Sequence, residues 1–368
     1  MDLRDELEAA LGELYAIEQE LGGGGMSRVF LARETSLGRR VVVKVLPKEL
    51  TGGVNVDRFR REIVLAAQLQ HPHIVTLLST GQVAGVPYYS MPYEEGRSLR
   101  AHLRDHGALP IGEVVGLLGD VAKALTFAHE RGVIHRDIKP DNILVCGGAA
   151  VVSDFGIAKA VSDAKDQPPP QVTGESLTQI GMSVGTPTYM APEQAAADPD
   201  VDHRADIYAF GITAYEMLTG RPPFCDSSPR KLLAAHLTQV PEPVLTRRPD
   251  TPPVLAALVM ACLAKEPAER PQTAKELART LEIVHAGEQR AARAQGAPGS
   301  LARQLAFGLV ALVAVAIVAR AAIIAMALPE WVLPAMLVVA VLIIVVVVGR
   351  AQGLTRVVTP LTPARRRD

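Results

Sequence analysis

In the stretch HRDIKPDNILV (135–145), Asp137, Lys139 and Asn142 put a carboxylate, an ammonium and a carboxamide within six positions, on a loop bounded by apolar residues. Such a set suits phosphoryl transfer. It offers an acceptor to orient a hydroxyl nucleophile, a cation to offset charge on the group in flight, and an oxygen ligand for magnesium. Nine residues after Val145, Asp154 opens DFG (154–156), where a second carboxylate can bind magnesium bridging the phosphates of ATP. Upstream, LGGGGMSRVFLA (21–32) lets backbone N–H groups approach phosphates closely, because residues without side chains permit unusual dihedrals. Lys44 stands in an otherwise apolar run, VVVKVL (41–46), where an unpaired ammonium is costly to bury. It therefore needs an anionic partner, either a phosphate or a carboxylate such as Glu62 on the amphipathic stretch that follows. Taken singly, the glycine run reads as a flexible turn, DFG as a chance tripeptide and Glu62 as an exposed helix residue. Their order and spacing together select the phosphoryl-transfer reading.

These groups need elements to hold them. Strand-like runs and glycines dominate the first part, with 41–46 as the clearest strand and a helical pattern from Asp57 to Leu69, which predicts a small sheet-rich lobe. From about Leu99 the pattern turns helical, as in VVGLLGDVAKALTFAHE (114–130), and ends near AKELARTLEIV (274–284), which predicts a larger helical lobe. Residues 286–304 are small, polar and basic and read as a linker. No internal repeat is evident.

The chain of 368 residues carries a formal net charge of -1, which gives no electrostatic reason to expect a nucleic-acid partner. Its three cysteines, Cys146, Cys225 and Cys262, are widely spaced and lack the paired pattern of a zinc or redox site. The acidic, amphipathic N-terminus is unlike a secretory signal, so the catalytic part is expected inside the cell.

The stretch from about Tyr15 to Val284 resembles the eukaryotic-type (Hanks) protein kinases, and most closely the bacterial membrane-bound serine/threonine kinases. The resemblance implies an α+β, two-lobed protein kinase fold at 15–285, with an N-lobe over about 15–92 and a C-lobe over about 96–285, after an N-terminal helical extension (1–14). It implies ATP with Mg2+, or Mn2+, as cofactors, protein substrates, and room for a homodimer. Leu21, Gly22, Gly23, Gly24, Gly25 and Val29 would cover ATP, Lys44 would contact its α- and β-phosphates, and Glu62 would pair with Lys44. Asp137 would be the catalytic base, Lys139 would steady the γ-phosphate, and Asn142 and Asp154 would hold the metal ions. YYSMPYEEG (88–96) resembles the hinge, with Met91 as gatekeeper and the backbone of Pro92 and Glu94 facing adenine; Val42 and Leu144 belong to the same pocket. GTPTYMAPEQ (185–194) resembles the substrate-docking end of an activation segment. Within it Glu193 is expected to pair with Arg270, while Asp206 and Gly211 match the helix that braces the catalytic loop.

Lys139 together with Thr186 resembles the serine/threonine kinases, so the resemblance implies serine or threonine as the acceptor. Thr178 matches a loop position that many bacterial relatives phosphorylate, with Arg136 and Lys159 placed to bind the added charge. Ser27 replaces the third loop glycine and Val42 the alanine usual at that position, yet neither departure removes a reacting group. A pseudokinase is disfavoured because no reacting residue is lost, and a small-molecule kinase because the docking segment is complete.

Two apolar stretches close the sequence, Leu305–Leu328 and Trp331–Val348, each near the ~20 residues that a helix needs to cross a bilayer. Arg320 costs about 2.5–3.5 kcal/mol at mid-bilayer, whereas the twelve Leu, Ile, Val and Phe residues of the first stretch contribute about 4–7 kcal/mol. Insertion wins, giving a C-terminal transmembrane helical hairpin turning at Pro329–Glu330. Arginines flank both outer ends, among them Arg303 and Arg350, and such flanks prefer the cytoplasmic side. The expected location is thus the cell membrane with two spans, the lipid bilayer as a partner, and the kinase domain and the basic tail (349–368) in the cytoplasm.

Overall fold

The computed structural model describes residues 3–24, 27–46, 63–83, 86–155 and 187–296. The chain divides into two compact units, Met1–Gln289 and Arg290–Asp368. The first begins with helix α1 (Leu3–Leu11) and a five-stranded antiparallel sheet formed by β1 (Tyr15–Gly24), β2 (Ser27–Glu34), β3 (Arg40–Val45), β4 (Ser79–Val83) and β5 (Val86–Pro92), in the order β1-β2-β3-β5-β4.

Strand β3 shows how the sheet serves two sides. Side chains alternate along a strand, so Val41, Val43 and Val45 share one face and pack with Leu7 and Leu11 of α1, Tyr15 and Phe30. Val42 and Lys44 take the other face. Val42 there joins Val75, Met91 and Val151, with Val29 and Leu144 packed alongside. Where hydroxyls enter the first of these cores they satisfy one another: Tyr15 Oη lies 2.8 Å from Ser79 Oγ and 3.1 Å from Ser90 Oγ, and the two serine oxygens are 2.7 Å apart.

Beyond β5 come a three-stranded sheet, β6 (Arg97–Ser98), β7 (Ile143–Cys146) and β8 (Ala149–Val152), and the helices of the larger lobe. Helix α2 (Leu99–His106) starts where Ser98 Oγ accepts the Ala101 amide, and the chain leaves it through Gly107 in the left-handed region. After α3 (Ile111–His129) and the loop carrying Asp137, helices α4 (Pro192–Ala195), α5 (Arg204–Thr219), α6 (Pro229–Thr238), α7 (Val244–Arg247), α8 (Pro253–Cys262) and α9 (Ala274–Gly296) complete the described fold. Every residue of α5 from Ala205 to Leu218 is buried, which makes it the axis of this lobe rather than a surface helix. Gly211 permits the close approach of α8, since a Cβ there would lie 2.6 Å from that of Cys262. The two lobes are stitched by Val75 N–H donating to the Val152 carbonyl at 2.9 Å and Val152 N–H to that of His73 at 2.9 Å.

The two-lobed α+β architecture expected from the sequence is present. One departure concerns 286–304, expected as a linker: α9 continues to Gly296. Apart from Gly287 and Gly296, residues 286–296 are Ala, Glu, Gln and Arg, all strong helix formers, so a helix already started at Ala274 can run on through them. Among the described residues no helix is long and apolar enough to cross a membrane, and both apolar stretches, with the tail, lie outside those residues.

Candidate active site

The loop after α3 hangs from one buried carboxylate. Asp206, near the start of α5, accepts the backbone N–H of His135 at 2.9 Å and of Arg136 at 2.7 Å, and lies 2.8 Å from His129 Nε2. Burial pushes its carboxyl up, but the hydrogen bond and charge of His129 with the His135 amide outweigh this and hold it below the ordinary range. Arg136 has φ +67°, a conformation that side-chain-bearing residues seldom adopt and that the Asp206 bond to its own N–H helps to fix.

His135 extends the scaffold. Its Nδ1 accepts the Asp137 amide at 3.2 Å, and its Nε2 is 2.8 Å from the Ser153 carbonyl. An amide can only donate and a carbonyl only accept, so Nε2 carries the proton. The ring packs edge-on against Phe155, with centroids 4.6 Å apart. Sequence reasoning assigned this histidine no role; its signal was position, directly before the Arg-Asp pair.

On that scaffold Asp137 Oδ2 accepts Lys139 Nζ at 2.7 Å and Asn142 Nδ2 at 3.0 Å. The same amide nitrogen bonds the Asp137 carbonyl at 2.8 Å, so the Asn142 side-chain oxygen is the end left to face a ligand. Among the described residues no hydrogen bond occupies Asp137 Oδ1. The Asn142 carbonyl accepts Ser153 N–H at 2.9 Å, which ties this loop to the strand leading into Asp154.

Asp154, also at φ +67°, gathers donors from both lobes. Lys44 Nζ lies 2.6 Å from Oδ2, Tyr89 Oη donates to Oδ1 at 2.7 Å, and Ser153 Oγ reaches Oδ2 at 3.2 Å. Burial raises its carboxyl, but the charge and hydrogen bond of Lys44 and the Tyr89 hydroxyl prevail and keep it below the usual carboxylate range. Burial and the Asp154 charge push the Tyr89 phenol well above its usual range, so it remains a donor. The anionic partner that Lys44 requires is thus Asp154 here, while Glu62 lies outside the described residues.

Val29, Val42, Met91 and Leu144 meet in one apolar group beneath the sheet. Met91 pairs with Val42 and Pro92 with Val41 in the β3–β5 register; Glu94 follows, partly buried. Leu21 is exposed beside Gly22, which has φ +121° and pairs with Val29; Gly23 pairs with Arg28 and Gly24 with Ser27, and Gly25 lies outside the described residues. Arg270, fully buried in its side chain, makes two parallel bonds of 2.7 Å to Glu193, the bidentate geometry that a guanidinium and a carboxylate favour. Thr178, Lys159 and Thr186 lie outside the described residues.

The protein kinase domain family model matches residues 15–281. The chain belongs to the protein kinase family. Over 284 residues, 76% of this chain and 44% of the relative, it is 41% identical to serine/threonine-protein kinase PknB of Mycolicibacterium smegmatis, with the same figures for the PknB of Mycobacterium tuberculosis. A probable serine/threonine-protein kinase of Corynebacterium efficiens is 39% identical over 295 residues, 77% of this chain and 43% of that one. The match therefore spans less than half the length of these relatives, and it falls on the kinase domain, which is of the bacterial serine/threonine type.

Proposed function

We propose that this kinase domain transfers the γ-phosphoryl group of ATP to serine or threonine hydroxyls of proteins. The observation that carries the reading is the state of Asp137: Lys139 and Asn142 both bind Oδ2, which turns the carboxylate so that Oδ1 is left for an incoming hydroxyl. In this reading Asp137 accepts the hydroxyl hydrogen bond and then its proton, and Lys139, already beside it, offsets charge on the transferring group. Lys44 contacts the α- and β-phosphates, with Glu62 as its further partner. The backbone from Leu21 through Gly25 covers the phosphates, and Val29, Val42, Met91 and Leu144 enclose the adenine against the backbone of Pro92 and Glu94.

Asn142 and Asp154 fit a hard divalent cation, Mg2+ or Mn2+, because they present a carboxamide oxygen and an ionised carboxylate, the oxygen donors such ions prefer. Bound there, the ion neutralises phosphate charge. In the purified full chain, Asp137→Asn and Lys44→Met are each expected to abolish serine/threonine labelling from ATP. Wild-type labelling by Asp137→Asn, purified free of other kinases, overturns the role given to that aspartate.

We further propose that the two apolar stretches anchor the domain at the membrane as a hairpin, from their length and the arginines around them. Alkaline phosphatase and green fluorescent protein fused after Asp368 test this, and phosphatase activity without fluorescence excludes it. Thr178 is the proposed activating phosphosite, with the buried Nε of Arg136, unpartnered among the described residues, as one donor for the added phosphate. Full activity of Thr178→Ala across substrate concentrations removes it.

A further inference from the structure

Tyr89 has no part in the chemistry described above, yet its hydroxyl ends on the carboxylate at the centre of it. The β3–β5 register sets Tyr89 directly opposite Lys44, so both side chains leave the sheet on the same face and reach different oxygens of Asp154, Lys44 Nζ at Oδ2 and Tyr89 Oη at Oδ1. The Tyr89 ring is 3% exposed and packs with Leu46, Ile63, Ala66 and Leu77. A hydroxyl carried by an aliphatic pocket of this kind needs an acceptor at its rim, and the carboxylate supplies it.

We infer that Tyr89 is a positioning residue for the metal: its O–H fixes the rotation of the Asp154 carboxylate and leaves Oδ1 one lone pair directed at the ion. An oxygen of a carboxylate has two acceptor sites, so the phenol and a cation can share Oδ1, and no proton moves between them. With Lys44 on the other oxygen, the carboxylate is held at both ends before any ion arrives. Outer-shell partners of this kind orient a ligand, and removing one typically weakens metal binding by about 10–100-fold. The inference rests on the reading of Asp154 as a metal-binding residue.

The test is Tyr89→Phe in the full chain, which deletes one oxygen and keeps the ring. Mn2+ binding is followed by electron paramagnetic resonance with a saturating non-hydrolysable ATP analogue, and analogue affinity is measured separately at saturating Mg2+. Expected are a rise of about tenfold in the Mn2+ concentration for half-saturation and an analogue affinity within about twofold of wild type. Tyr89→4-aminophenylalanine, which restores a donor at the same reach, should return the wild-type concentration; should Tyr89→Phe not fold, Tyr89→Leu carries the same expectation. Asp154→Asn, run in parallel, separates two failures. If it loses Mn2+ while Tyr89→Phe binds as wild type does, the role of Tyr89 is overturned; if it keeps wild-type Mn2+ binding, the metal site itself was misassigned.

Discussion

Asp206, buried, and Asp154, mostly so, are aspartates that each collect three donors, and they do opposite work. Asp206 is 0% exposed, and its donors, two loop amides and His129, all come from the helical lobe. Asp154 keeps 11% of its side chain exposed, and it draws Lys44 and Tyr89 from the sheet and Ser153 from its own chain neighbour. A carboxylate whose donors belong to one packed body becomes a fixed anchor. One whose donors come from two bodies, with an acceptor site left over, is suited to receive a ligand between them.

The contrast breaks first at the anchor. Asp206→Ala strands the buried His135 amide, the partly buried Arg136 amide and the His129 nitrogen, and should cost about 3–5 kcal/mol of stability, a large share of the ~5–15 kcal/mol that holds a domain together. Urea unfolding measures it, and a loss under about 1 kcal/mol would mean that water or another acceptor replaces the carboxylate. Asp154→Asn should behave in reverse. Its fold should stay close to wild type, because a carboxamide oxygen can still accept from Tyr89. Phosphoryl transfer should fall by at least about 10^2–10^3-fold, the scale of removing one electrostatic stabiliser from a transition state. Single-turnover labelling at saturating Mg2+ checks this.

How much of this was legible depended on how far apart in sequence the partners lie. Asp137, Lys139 and Asn142 share one short loop, so their types and spacing already implied their chemistry. Lys44 plainly needed an anion, but its partner Asp154 is 110 positions away and only the fold brings them together. Tyr89 gave no signal, because in VPYYSMP an aromatic reads as strand core, and its alignment with Lys44 is a matter of register between β3 and β5. The helical run to Gly296 was hidden for another reason: small polar residues suit both a linker and an extended helix, and a helix already under way decides between them.

His236 sharpens the comparison by showing burial that its partners do not offset. The two aspartates keep their charge because donors outweigh desolvation. His236 is fully buried with Tyr208 on Nδ1, and burial together with the Lys265 charge lowers its pKa to about 4. Its folded pKa lies below the unfolded value near 6.5, so the unfolded chain binds more protons between the two. The associated stability is complete above about pH 6.5 and is lost as pH falls toward about 4, amounting to about 3 kcal/mol. Urea midpoints taken across that window should drop for wild type and flatten in His236→Gln; parallel curves would assign the acid sensitivity elsewhere.

The smallest effect is expected at the third donor to Asp154. Ser153 Oγ is 3.2 Å from Oδ2 and 3.3 Å from the Asn142 carbonyl, so it divides one proton between two long contacts. Neither acceptor depends on it. Oδ2 keeps Lys44 at 2.6 Å, and the Asn142 carbonyl keeps the Ser153 backbone N–H at 2.9 Å, a bond that substitution leaves intact. Ser153→Ala should therefore cost about 0.5–1 kcal/mol, the ordinary net worth of one hydrogen bond, and should change the Mg2+ requirement by less than about threefold. Urea unfolding and a Mg2+ titration of labelling rate measure the two. A metal defect as large as that expected for Tyr89→Phe would show that the donors act as one coupled network, in which case holding Asp154 from two lobes depends on all of them together.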